Sequence, residues 1–153
     1  MGWNRCRQLA SFLTAKDIPF RDRGKVYDAC IRSCMLHGSE TWALNRENEV
    51  KLERNDMKIL RWMAGSKLID RVSNKDLRDR LGLENLQSVL RKRRLRWFGH
   101  VERREEEWVK KCTELKVAGK VGRGRSKKTW KEVLEKDMKL AGLRRQDAMD
   151  RVK

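Results

Sequence analysis

"NRENEVKLERNDMKILRWMAG", residues 45–65, decides the fold class. Asn45 stands where a helix N-cap belongs, and Gly65 where a helix stops. Between them Val50, Met57, Leu60 and Ala64 recur with the helical period of about 3.6 residues. Leu52, Ile59 and Met63 form a second apolar stripe on the other side. A helix that is apolar on two sides is sandwiched, so this one is expected near the centre of the molecule.

The same period extends in both directions. Upstream, a helix is predicted from Pro19, whose missing N–H costs nothing in a first turn, to His37-Gly38. Phe20, Tyr27, Cys30, Ile31 and Cys34 share one stripe of it. Downstream, "SNKDLRDRLG" reads as a short helix with a Ser73 cap, Asp76 in its first turn and Gly82 as its end. A longer helix is expected from about Glu84 to Arg104, with Leu86, Leu90, Trp97 and Val101 on its apolar side. Residues 105–128 carry Gly119, Gly122 and Gly124, which break any period. "TWKE" then offers a capping box, Thr129 with Glu132, and a helix to Gly142 with Trp130, Val133, Leu134 and Ala141 on one side. "LRRQDAMDRVK" begins a last helix. No segment alternates long enough to make a sheet. The predicted class is all-α, about six helices around a small core with a basic Gly-rich loop, compatible with an elongated outline. Three segments are expected: 1–66, 67–118 and 119–153.

Composition narrows the function classes. The chain has 153 residues, 40% charged and 39% apolar, and a formal net charge of +17. Such a surplus sits on the surface and attracts polyanions. It is concentrated: residues 91–131 hold sixteen Arg or Lys against five Glu, a net of +11. The densest part, "RKRRLRWFGHVERR" (91–104), places Trp97 and Phe98 side by side in the middle of the charge. The period assigns Trp97 to the core, Phe98 to its edge, and Arg91, Lys92, Arg96 and Arg103 to a phosphate-facing outer side. No run of 18 apolar residues is present, so a membrane is not an expected partner. The N-terminus lacks the long apolar core of a signal peptide, which makes an intracellular location, the nucleus included, the expectation. Cys6, Cys30, Cys34 and Cys112 then read as reduced thiols.

Candidate sites follow from residue type and spacing. Arg123 and Arg125 of "GRGRS" (122–126), with Lys127 and Lys128, suit phosphate contact, because glycine lets the backbone lie close to a surface. An Arg-Gly-Arg core also suits a narrow minor groove, although Ser126 stands where a proline usually completes such a hook. Cys30, Cys34 and His37 share a helix side, yet they fit an apolar stripe better than a tetrahedral zinc site. No metal and no other cofactor is expected. His100 has no nucleophile and no orienting carboxylate in the pattern, so it carries no catalytic expectation. "ELK" (114–116) matches only the tail of a nuclease pattern, without the upstream Asp.

Six blocks occur in order: "MLHGSETWAL" (35–44), "MKILRWMAG" (57–65), "DRVSNKDLRDRLG" (70–82), "RLRWFGHVERR" (94–104), "ELKVAGK" (114–120) and "GRGRSKKTW" (122–130). Together they resemble the C-terminal part of reverse transcriptases of non-LTR (LINE-type) retrotransposons, from about residue 8 onward. Residues 1–66 resemble the thumb, which packs on a primer–template duplex in that family, and the rest resembles the extension beyond it. Similar proteins carry Tyr where this chain has His37, and Pro where it has Ser126. The resemblance implies a partner among RNA–DNA hybrids or duplex DNA, and a docking surface for a polymerase palm. It does not bring the chemistry with it. Reverse transcription needs paired Asp residues that hold two metal ions, and this sequence has no Asp-Asp pair. The expected function is therefore nucleic-acid binding without catalysis. A structural interaction module and a retained reverse transcriptase or nuclease activity are the alternatives.

Overall fold

The computed structural model describes residues 2–104, 108, 111 and 128–150. Among them every regular element is helical and no strand occurs, as the period requires. The elements are α1 (Gly2–Gln8), α2 (Ala10–Thr14), α3 (Phe20–Val26), a π-helical stretch (Tyr27–Arg32), α4 (Ser33–Met35), α5 (Arg46–Ala64), α6 (Asn74–Leu81), α7 (Leu86–Glu102) and α8 (Trp130–Ala141). Short 3₁₀ turns lie at Ser39–Thr41, Leu68–Asp70 and Arg145–Met149.

The helix ends sit where the sequence places them. The Ser73 hydroxyl accepts from the Asp76 amide at 3.1 Å, and the Thr129 hydroxyl accepts from the Glu132 amide at 3.3 Å. Gly65, Gly82 and Gly142 end their helices with φ near +65°, the left-handed backbone that glycine adopts without strain. The entry to α7 lies one residue beyond the expected Glu84, where Asn85 Oδ1 accepts from the Gln87 amide at 2.9 Å. Two features differ. Helices α1 and α2 precede Pro19, where no helix was expected. The last segment, expected as an α-helix, is a 3₁₀ turn at Arg145–Met149.

The chain divides into two compact units. The first comprises residues 1–38 and 46–90, the second residues 39–45 and 91–153. The expected boundary after residue 66 falls inside the first unit, because Leu77 and Leu81 of α6 close the same core as Met57, Leu60 and Met63 of α5. The boundary expected at 118–119 lies outside the described residues. Both apolar stripes of α5 reach this core: Met57 and Leu60 from one, Ile59 and Met63 from the other. Gly24 lets α3 lie against the end of α6. A Cβ there would meet the Leu81 carbonyl oxygen at 1.9 Å, so no larger residue fits without moving backbone.

The first unit buries charge as well as apolar surface. Tyr27, Arg32 and Asp56 are 0%, 1% and 1% exposed. Tyr27 donates to Asp56 Oδ1 at 2.6 Å, and Arg32 donates from Nε to Oδ1 at 3.1 Å and from Nη2 to Oδ2 at 2.9 Å. Arg32 Nη1 donates onward to the Glu84 carbonyl at 3.0 Å. The π-helical stretch makes this possible. In an α-helix, residues five apart point about 140° away from each other. Closure over five residues instead brings Tyr27 and Arg32 onto one carboxylate. The same extra residue turns Cys30 and Cys34 out to solvent, which corrects their expected place in the apolar stripe. Cys6 takes the buried thiol position, and burial raises its pKa. Arg23 is also buried. It donates to the Met63 and Leu13 carbonyls at 3.1 and 3.4 Å, satisfying acceptors that the ends of α5 and α2 leave open.

The second unit is built on α7 from Arg91 onward and on α8. Val101, Val133 and Leu134 are buried. Beside them lies an ion pair: Arg94 reaches Asp137 Oδ2 at 2.7 Å from both Nε and Nη2. Trp130 donates from its indole nitrogen to the Glu40 carbonyl at 2.8 Å.

Candidate nucleic-acid interface

The cations of α7 do not share one environment. The buried line of the helix runs Leu86, Leu90, Arg94 and Val101. Arg94 can lie inside because Asp137 neutralises it, and charge-assisted hydrogen bonds from Nε and Nη2 replace part of what was given up to water. Trp97 shares that side by the helical period, yet it is 37% exposed. The assignment of Trp97 to the core is thus corrected, while Phe98 is half-buried as expected. Arg91 is also displaced from its expected place. It stands half-buried with Nε 3.6 Å from Asp137 Oδ1, on the side that faces α8.

Lys92 and Arg96 are exposed, and Arg103 is half-buried with Nη1 donating to the Ala148 carbonyl at 2.6 Å. These three line a recess of about 450 Å³ together with Arg144, Asp147 and Asp150. The acidic side is partly engaged, since Asp147 Oδ2 accepts from the Arg144 amide at 2.8 Å. Arg96 and Arg103 also border a second, open groove of about 530 Å³, completed by Glu40, Arg93, Trp97 and His100. The Trp97 and His100 rings lie 5.7 Å apart between centroids, inclined at 32°. Arg104 Nε approaches His100 Nε2 at 3.5 Å. The outer side of α7 is therefore a cationic surface with an aromatic pair set into it.

The sequence pattern alone leaves Arg93 unremarked and Trp97 in the core. The signal that finds them is positional: Arg93, Arg96, Trp97, His100 and Arg103 recur at three- and four-residue steps, which puts them on neighbouring rows of one helix side. Lys128 is half-buried just before the Thr129 cap. Arg123, Arg125 and Lys127 lie outside the described residues, and so do "ELK" (114–116) and Cys112. Among the described residues no three His, Cys, Asp or Glu side chains are placed to hold a metal ion. None of the described helices is long and apolar enough to cross a membrane.

With the geometry in place, comparison with known proteins adds one fact. The chain is similar to a transposon-derived protein of Caenorhabditis elegans. The two are 24% identical over 142 residues, which cover 89% of this chain and 50% of the relative. The chain thus spans about half the length of the curated relative it matches. The likeness supports a transposon origin. No family model matches, and no solved structure does.

Proposed function

We propose that the chain is a non-catalytic nucleic-acid-binding segment, akin to the C-terminal part of a non-LTR retrotransposon reverse transcriptase. It holds an RNA–DNA hybrid or duplex DNA chiefly through backbone phosphates. The observation that carries this reading is the outer side of α7, where Lys92, Arg96 and Arg103 line one recess and two of them continue into the next. A net charge of +17 supplies the long-range attraction, and the transposon-derived relative supplies the context. Phosphates are the natural ligands because guanidinium and ammonium groups need no base sequence to engage them. Arg123, Arg125, Lys127 and Lys128 are expected to add to the neutralisation. With no Asp-Asp pair to hold two metal ions, the segment positions a substrate and leaves the chemistry to a polymerase palm.

Fluorescence anisotropy with labelled duplexes tests this. Unrelated sequences should bind with similar affinity, and log affinity should fall linearly with log salt by about 0.9 per neutralised phosphate. Affinity that ignores salt would sink the proposal. A second reading, docking onto a protein, is favoured by Leu68 and Ile69, which are 81% and 83% exposed in the first unit, where Leu68 shares a recess with the half-exposed Trp62. It predicts that the α7 cations make no difference to duplex affinity.

A further inference from the structure

Trp97 needs an explanation of its own. A tryptophan left 37% exposed forgoes part of the stabilisation that burial brings. It also sits among Arg93, Arg96 and Arg103, which line the same groove. Its neighbour on the helix side is another flat ring, His100, at 5.7 Å. A base stacks at about 3.4 Å, so slipping between two rings would need about twice that distance. A base therefore does not enter between Trp97 and His100. That leaves the other face of the indole for a base, with His100 on the near side.

We propose that Trp97, backed by His100, is a stacking platform for one unpaired base of a single-stranded nucleic-acid segment, whose flanking phosphates lie on Arg96 and Arg103. This rests on the nucleic-acid reading above and deepens it. Paired bases inside a duplex have both faces covered by their neighbours and offer nothing to an indole. Bases of a single strand have open faces, and exposed aromatics in a basic groove are how proteins take them without sequence preference. The cations set the strand's path, and the ring converts that path into contact with a base. Glu40, which also lines the groove, disfavours a phosphate beside it and so helps to set where the strand can lie.

The test uses the full chain and two single-stranded probes of equal length, a thymidine homopolymer and its abasic counterpart with the same phosphates. The ratio of their affinities isolates base stacking from charge. The parent should prefer the thymidine strand, and Trp97→Ala should lower that preference by about tenfold, as expected for one stacked base. Trp97→Phe should keep most of it. His100→Ala should lower it partly, with circular dichroism checking that both alanine variants stay folded. If Trp97→Ala shows the parent's ratio while both strands still bind, the platform is wrong and phosphate binding stands. If the parent binds neither strand at any salt concentration, the platform is wrong, and the duplex titrations above decide the nucleic-acid reading separately.

Discussion

Asp56→Ala is expected to remove about 3–5 kcal/mol of folding stability, the usual consequence of stranding one charge of a buried pair. Whole domains are stable by only about 5–15 kcal/mol, so the variant should sit at the margin of unfolding. The carboxylate accepts from the Tyr27 hydroxyl and from two nitrogens of Arg32. Its removal leaves an arginine that is 1% exposed with the Glu84 carbonyl and the more exposed Asp28 carboxylate, 3.3 Å away, as its remaining partners. Asp28 provides the internal control. Its side chain is 57% exposed, and Asp28→Ala should cost no more than about 1 kcal/mol. Urea midpoints of the two variants decide the matter. A cost for Asp56→Ala as small as that for Asp28→Ala would mean that the network does not hold the π-helical stretch to α5.

The same network makes the fold sensitive to alkali. Tyr27 is the chain's single tyrosine, and its pKa is pushed up, first by burial and then by the Asp56 carboxylate beside it. In the unfolded chain the phenol ionises at about 10. The folded state therefore binds this proton more tightly. The stability that this contributes is full below about pH 10 and declines as pH rises further, because the unfolded chain gives up the proton first. Tyrosinate absorbance should appear together with loss of helical dichroism, in a single transition. Tyrosinate forming while the helices remain would contradict the buried hydrogen bond.

How much of this is legible in the sequence depends on which rule governs each residue. Helix ends follow from chemistry local to a few residues. Ser73 with Gly82 and Thr129 with Gly142 are cap and stop signals that work whatever surrounds them. The two stripes of α5 are legible for the same reason, since the 3.6-residue period needs no partner to be seen. Arg23, Arg32 and Arg94 are not. A binary pattern sends every arginine outward, and only the fold supplies the carbonyls and carboxylates that let these three go inward. Cys30, Cys34 and Trp97 are misplaced for other reasons. Extending an ideal α-helical period misplaces the two cysteines. In the first two, one extra residue in the π-helical stretch shifts the register; in the third, the period gives the right helix side, but the fold leaves the indole 37% exposed. The candidate site is half legible: Lys92 and Arg96 are where their spacing puts them, but Arg91 is captured by Asp137. No local pattern announces an ion pair made across 46 residues of chain.

Replacing Lys92, Arg96 and Arg103 together with Gln should leave the helices intact and remove most of the measurable duplex affinity. Glutamine keeps a similar helix propensity while removing the charge. Lys92 and Arg96 are exposed, so the core packing is undisturbed. Arg103 donates to the Ala148 carbonyl, a bond that a neutral amide can partly replace. The cost falls on binding. Each phosphate left without its cation should shrink the slope of log affinity against log salt by about 0.9, so three of them shrink it by about 2.7. The weakening should be equal for every duplex sequence, because phosphates carry no sequence information. Arg91→Gln is the counterpart on the other side of the same helix. It removes the same charge from a guanidinium already engaged with Asp137, so its binding effect should be small and its effect on stability the larger one. Anisotropy titrations at several salt concentrations separate the two. A triple variant that binds as tightly as the parent, with the parent's slope, would leave the outer side of α7 a solvated surface. The protein-docking reading of Leu68 and Ile69 would then be the better account of the chain.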